Sequence, residues 1–145
     1  MDSIKKQIMS RILSNLEPLK TSGDFRSITR EVNLLATAAV LNALQIYDGP
    51  ERLVSRDNRG RAFHFDIGLK ILAQEQRDLG AAKDALVPKV QQILETDYQL
   101  GGLATIVDGG EEVPFLTEVN KPLGGSLVLY TIQYRRVLGD PYTTY

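Results

Sequence analysis

Hydrophobic positions at the start of the chain recur at helical spacing. Ile4, Ile8, Ile12 and Leu16 fall on one line, Met9 and Leu13 widen it, and Lys5, Lys6, Ser10, Arg11 and Ser14 occupy the opposite side. This predicts an amphipathic helix with one buried face. Pro18 is expected to end it, because its ring removes a donor and crowds the preceding turn, and Thr21-Ser22-Gly23-Asp24 reads as a loop. Phe25 to Val32 suits a short strand. Residues 33–44 fit either a helix or an irregular buried segment, and Asn42 to Tyr47 reads as a strand closed by the turn chemistry of Asp48-Gly49-Pro50.

The clearest pattern runs from Arg61 to Gln74. Phe63, Phe65, Ile67, Leu69, Ile71 and Ala73 alternate with Ala62, His64, Asp66, Gly68, Lys70 and Leu72. Period two over that length predicts a long strand with one face buried. Leu53 to Arg56 precedes it across Asp57-Asn58-Arg59-Gly60, which predicts a hairpin. A second helix follows, with Ala82, Leu86, Val90, Ile93 and Leu94 as its stripe and Asp78 or Asp84 as a candidate cap. Pro88 implies that this helix kinks or that its regular part begins near Leu86. Leu103 to Val107 and Leu127 to Arg136 are the closing strands, the latter with Val128, Tyr130, Ile132 and Tyr134 on one side. Between them, Asp108 to Ser126 is a long breaker-rich connection, read either as a functional loop or as an extended hairpin arm with Glu112 to Val119 partly strand-like. The whole, residues 1–145, is expected to be a single α+β domain: a mainly antiparallel or mixed sheet of about four to five strands with two main helices packed on it.

Composition narrows the function. The chain has 145 residues, no cysteine and one histidine. Thiol catalysis, disulfides and cysteine-ligated zinc are excluded by that inventory, and a histidine-rich metal site is excluded by a single imidazole. His64 lies between Phe63 and Phe65 on the polar side of the long strand and reads as a half-exposed sheet residue rather than a catalytic base. The glycine pairs Gly101-Gly102, Gly109-Gly110 and Gly124-Gly125 match no phosphate-binding spacing. No catalytic, cofactor-binding or metal residue is assigned, and an enzyme is not expected. The opening residues, Met1-Asp2-Ser3-Ile4-Lys5-Lys6, carry no apolar signal core, and Leu34 to Leu44 is too short to span a bilayer, so a cytoplasmic origin without membrane contact is expected.

Charge is distributed unevenly. Eleven basic and eight acidic residues give residues 1–70 a charge of +3; six basic and ten acidic residues give residues 71–145 a charge of −4. Arg52, Arg56, Arg59 and Arg61 cluster around the hairpin turn, and Asp108, Glu111, Glu112 and Glu118 cluster in the long connection. Two solvated loops are one reading. Self-complementarity is another, one subunit's basic arm meeting the next subunit's acidic segment in a head-to-tail contact that closes into a ring when the rotation permits. A DNA-facing arginine cluster is a third, though it lacks aromatic stacking partners.

Read from end to end, the chain resembles the tail terminator (tail-completion) proteins of long-tailed bacteriophages. The resemblance lies in the opening helix Ile4 to Leu19; in Leu41-Asn42-Ala43-Leu44-Gln45-Ile46-Tyr47-Asp48-Gly49-Pro50-Glu51; in the long strand Phe63 to Ala73; in Ile93-Leu94-Glu95-Thr96-Asp97-Tyr98-Gln99-Leu100-Gly101-Gly102-Leu103; and in Leu127 to Arg136 running into Gly139-Asp140-Pro141-Tyr142. The segment Leu34 to Val40 departs from that pattern by lacking a clear strand and turn. The resemblance implies an α+β subunit of a homohexameric ring at the neck end of the tail, assembled in the host cytoplasm. Its implied partners are its own copies, the tail tube protein, the head connector or neck protein and, in a contractile tail, the sheath, with DNA passing through the lumen without sequence-specific contact. The family has no catalytic residues or cofactor to carry over. The alternatives are a neck or head–tail joining protein of the same virion and, more distantly, a small enzyme or a monomeric binding module.

Overall fold

A computed structural model describes residues 2–31, 42–74, 81–116 and 123–144. Helix α1 (Ile4–Thr21) is followed by strands β1 (Ser27–Glu31), β2 (Ala43–Asp48), β3 (Arg52–Arg56) and β4 (Gly60–Gln74). Helix α2 (Ala81–Thr96), a short 3-10 turn (Leu100–Gly102) and strands β5 (Ile106–Leu116) and β6 (Leu123–Val137) complete the order. Two helices packed with a six-stranded mixed sheet make an α+β fold.

Helix α1 starts where Ser3 accepts the Lys6 amide on its hydroxyl at 3.2 Å, satisfying one of the free donors of the first turn. Of its predicted stripe, Ile4, Ile8, Met9, Ile12 and Leu16 are buried, Leu13 is half-buried against the core, and Leu19 joins the buried set. Pro18 does not end the helix, which continues to Thr21. In the last turn the proline forgoes a single bond towards the Ser14 carbonyl, and its own carbonyl still accepts from the Ser22 amide at 2.9 Å. Helix α2 begins at Ala81, ahead of Leu86, and carries Pro88 within it.

Strand β4 is the spine of the sheet. Phe63, Phe65, Ile67 and Leu69 sit directly opposite Tyr134, Ile132, Tyr130 and Val128 of β6, and all eight are buried beneath the helices. Each such side chain contributes roughly 1.5–3 kcal/mol when buried. A one-residue slip would move the whole set to the other face, so the pattern fixes the register.

The sheet runs β1-β2-β4-β6-β5, with β3 also paired to β4. β2 and β3 lie end to end on one side of β4: Ala43–Asp48 face Leu72–Ile67, and Arg52–Arg56 face His64–Arg61. Asp48-Gly49-Pro50 therefore interrupts a strand rather than reversing the chain. Pro50 has no N–H for the ladder, while the Gly49 amide still bonds the Asp66 carbonyl at 2.8 Å. The sheet has six strands, above the four to five expected. The segment expected as a strand from Leu103 begins instead at Ile106, after the 3-10 turn. The connection from Asp108 to Ser126 is an extended arm over its described part, since β5 runs to Leu116 and β6 starts at Leu123. The ambiguous residues 33–44 lie largely outside the described residues, as does Val32 of the first predicted strand.

Candidate functional site

The hairpin of β3 and β4 carries the arginines at one end of the sheet. Its turn is closed by Asp57, whose carboxylate accepts the amides of Arg59 (2.8 Å) and Gly60 (2.9 Å). Those two backbone bonds hold the Asp57 carboxyl below the usual aspartate range. Every residue of β3 is exposed, including the apolar Leu53 (49%) and Val54 (53%). Arg52 grips Asp66 through two hydrogen bonds of 2.9 and 3.2 Å, and the Thr131 hydroxyl donates to the same carboxylate at 2.7 Å. The Arg52 guanidinium, then the Thr131 hydroxyl, hold the Asp66 carboxyl low.

Register brings two further arginines to this end. Arg61 pairs with both Arg56 and Arg136, and Ala62 pairs with Arg135. Three arginines thus stand side by side across β3, β4 and β6, an arrangement that like-charge repulsion disfavours. Arg136 lays its guanidinium 4.2 Å from the centre of the Phe63 ring, a cation–π contact that offsets part of that cost. The Arg61 Nε is buried without a hydrogen-bond partner among the described residues. A shallow pocket between Ser55, Arg56, Asp57, Gly60, Arg61 and Arg135 opens beside it. Sequence reading found Arg52, Arg56, Arg59 and Arg61 but missed Arg135 and Arg136. The signal lay in aligning the last strand against the long one, about 75 residues away.

The acidic residues occupy the opposite side. Asp108, Glu111 and Glu112 are all exposed on β5, whose described pairing is to β6 alone. The Ser126 hydroxyl donates to Glu112 at 2.6 Å. Glu118 lies outside the described residues. Within β5, Gly109 pairs with Tyr130 and Glu111 with Leu129, so Gly110 is an extra residue, a bulge. Gly109 has φ of +125°, and a Cβ there would stand 2.7 Å from the Leu129 carbonyl oxygen. Only glycine fits. The outcome is a sheet segment ordered β3-β4-β6-β5 with arginines on its first edge and carboxylates on its last.

His64 is half-buried on the face away from the helices, opposite Arg52 on one side and Gln133 on the other. Among the described residues no group of three or more histidine, aspartate or glutamate side chains is placed to hold a metal ion, and no helix is long and apolar enough to cross a membrane. In comparisons with known proteins, no family model and no curated protein matches the chain.

Proposed function

We propose that this protein is a structural subunit of a long-tailed bacteriophage, a tail-terminator-like protein that assembles head to tail into a ring. The ring caps the tail tube, stops its polymerisation and presents its other face to the head connector. The observation that carries this reading is the placing of opposite charges on opposite edges of one sheet segment, Arg52 and Arg56 of β3, with Arg59 in the turn that follows, against Asp108, Glu111 and Glu112 of β5. Two edges of opposite charge suit each other in successive copies but not each edge its own copy, which favours heterologous contacts, closing into a ring where the rotation permits, over two-fold dimers. The resemblance of the chain to tail terminators supplies the hexamer, the tube and the connector as partners.

Termination needs shape and edges rather than a tuned proton donor. An unfinished tube exposes the interface that would bind its next subunit; a ring that matches that interface on one face and differs on the other halts growth. Electron microscopy of particles made without this protein tests the assignment. Tails of irregular, excessive length are expected. Tails of normal length that lack only heads would overturn termination and place the ring in the neck.

A further inference from the structure

We infer that neighbouring copies join strand to strand, β5 of one pairing antiparallel with the outer edge of β3 of the next, with Glu111 opposite Arg52 and Asp108 opposite Ser55. This rests on the head-to-tail reading above and specifies its interface.

Direction follows from topology. β3, β4, β6 and β5 alternate in direction, each antiparallel to its neighbour. Copies related by a rotation that preserves strand direction therefore bring β5 alongside β3 in the antiparallel sense. Both edges offer backbone N–H and C=O groups that no described strand takes, and edges of this kind are templates for a further strand.

Register follows from the two faces of the sheet. Arg52 pairs with His64 and Ser55 with Ala62, so both point away from the helices, and the Arg52–Asp66 bonds lie on that same face. Asp108 pairs with Thr131 and Glu111 with Leu129, which places them on that face as well. In a regular strand two such residues are separated by one residue. Here each pair is separated by two, Leu53-Val54 on β3 and Gly109-Gly110 on β5, because each strand carries a bulge at that point. The irregular spacings match. Setting Glu111 against Arg52 sets Asp108 against Ser55 with no side chain on the wrong face. A shift by one residue inverts every face, and a shift by two loses the match between bulges. The same placing gives Arg52 a second carboxylate beside Asp66 and sets the backbone of Gly110 and Gly109 against the exposed Leu53 and Val54. Glu51, just ahead of β3, directs its carboxylate to the Tyr134 hydroxyl of its own chain and stays out of the join.

The lack of cysteine makes the test clean. Ser55→Cys and Asp108→Cys are introduced together and the protein is oxidised. Within one chain the two positions lie three strand spacings apart, about 14 Å across the sheet alone, and are offset along the strands as well, beyond the roughly 7 Å limit between Cα atoms for a disulfide. Any bond is thus between copies. Non-reducing gels are expected to show a ladder of multimers, with neither single variant nor the pair Ser55→Cys with Val113→Cys forming it. In the double-cysteine protein, Arg52→Glu or Glu111→Arg alone is expected to cut ladder formation severalfold, and the two together to restore it. Absence of a ladder at any protein concentration, or equal bonding by Ser55→Cys alone, overturns the join. If native mass spectrometry then still finds a closed ring, the ring reading stands and the edge assignment fails. If the ladder forms but particles lacking the protein have tails of normal length, the join stands and termination fails.

Discussion

Asp48 illustrates how a few polar residues are tied into this fold. Its carboxylate meets Lys5 at 3.0 Å and is held by Arg30 through two bonds of 2.9 Å, linking α1, β1 and the end of β2. Burial pushes this carboxyl up, but the hydrogen bonds from Arg30 and Lys5 outweigh it, leaving Asp48 below the ordinary aspartate range. A carboxyl lowered by folding stabilises the protein above its unfolded value, near pH 4, and that contribution disappears as pH falls through the lowered value. Asp48→Asn is expected to lower unfolding free energy by about 2 kcal/mol at neutral pH. Urea titrations over a pH series should show the gap between variant and parent closing in acid; a gap that stays constant would contradict the ion-pair account. Tyr130 is the opposite case. It is 2% exposed, and its hydroxyl has no hydrogen-bond partner among the described residues. Burial and the nearby Glu95 push the phenol well above its usual value. Tyr130→Phe removes a desolvated polar group and keeps the ring, so stability should rise by up to about 1 kcal/mol. A lower melting temperature would show that the hydroxyl is paired.

At the scale of elements, the bulge in β5 is the feature most sensitive to a single atom. Gly109→Ala places a methyl carbon against the Leu129 carbonyl at a backbone angle that alanine rarely adopts. A loss of about 1–3 kcal/mol is expected in chemical denaturation. The cysteine-ladder yield should fall with it, since the spacing between Asp108 and Glu111 depends on this bulge. An alanine variant as stable as the parent would mean that the bulge is not built as described. The same pair of glycines marks the limit of sequence reading. Long periodic segments are legible: the alternation of β4 and the apolar side of β6 bury the residues their spacing marks, and so does the α1 stripe apart from the half-buried Leu13. Breakers are not. Asp48-Gly49-Pro50 reads as a turn and Gly109-Gly110 as a turn or a bulge, because glycine and proline favour turns in isolation, yet neighbouring strands supply enough ladder bonds to carry the first through as an interruption of a strand and the second as a bulge. Pro18 is a related case, since a proline in the last turn costs one bond, not the helix.

Across the whole molecule, two charged clusters are separated in space, the arginines of β3 standing on one edge of a sheet segment and the carboxylates of β5 on the other. Both charged clusters were visible as clusters along the chain, but their positions on opposite edges were not, because sheet order places β6 and β4 between them. Arg135 and Arg136 joined the basic end only through register, which local sequence cannot display. Electrostatic joining of such edges should weaken with added salt, because exposed charges are screened over about 8–10 Å at physiological ionic strength. Multimer yield measured by light scattering is therefore expected to fall as salt rises, and an increase would point to an apolar interface instead. The central claim concerns growth of the tail tube, and one measurement addresses it directly. Purified protein is added to tail tubes elongating from purified tube subunits, and tube length is followed by electron microscopy. The account predicts that elongation stops, with a ring of this protein at one tube end and lengths that shorten as more is added. Tubes that continue to lengthen at the same rate, with bare ends, would contradict it.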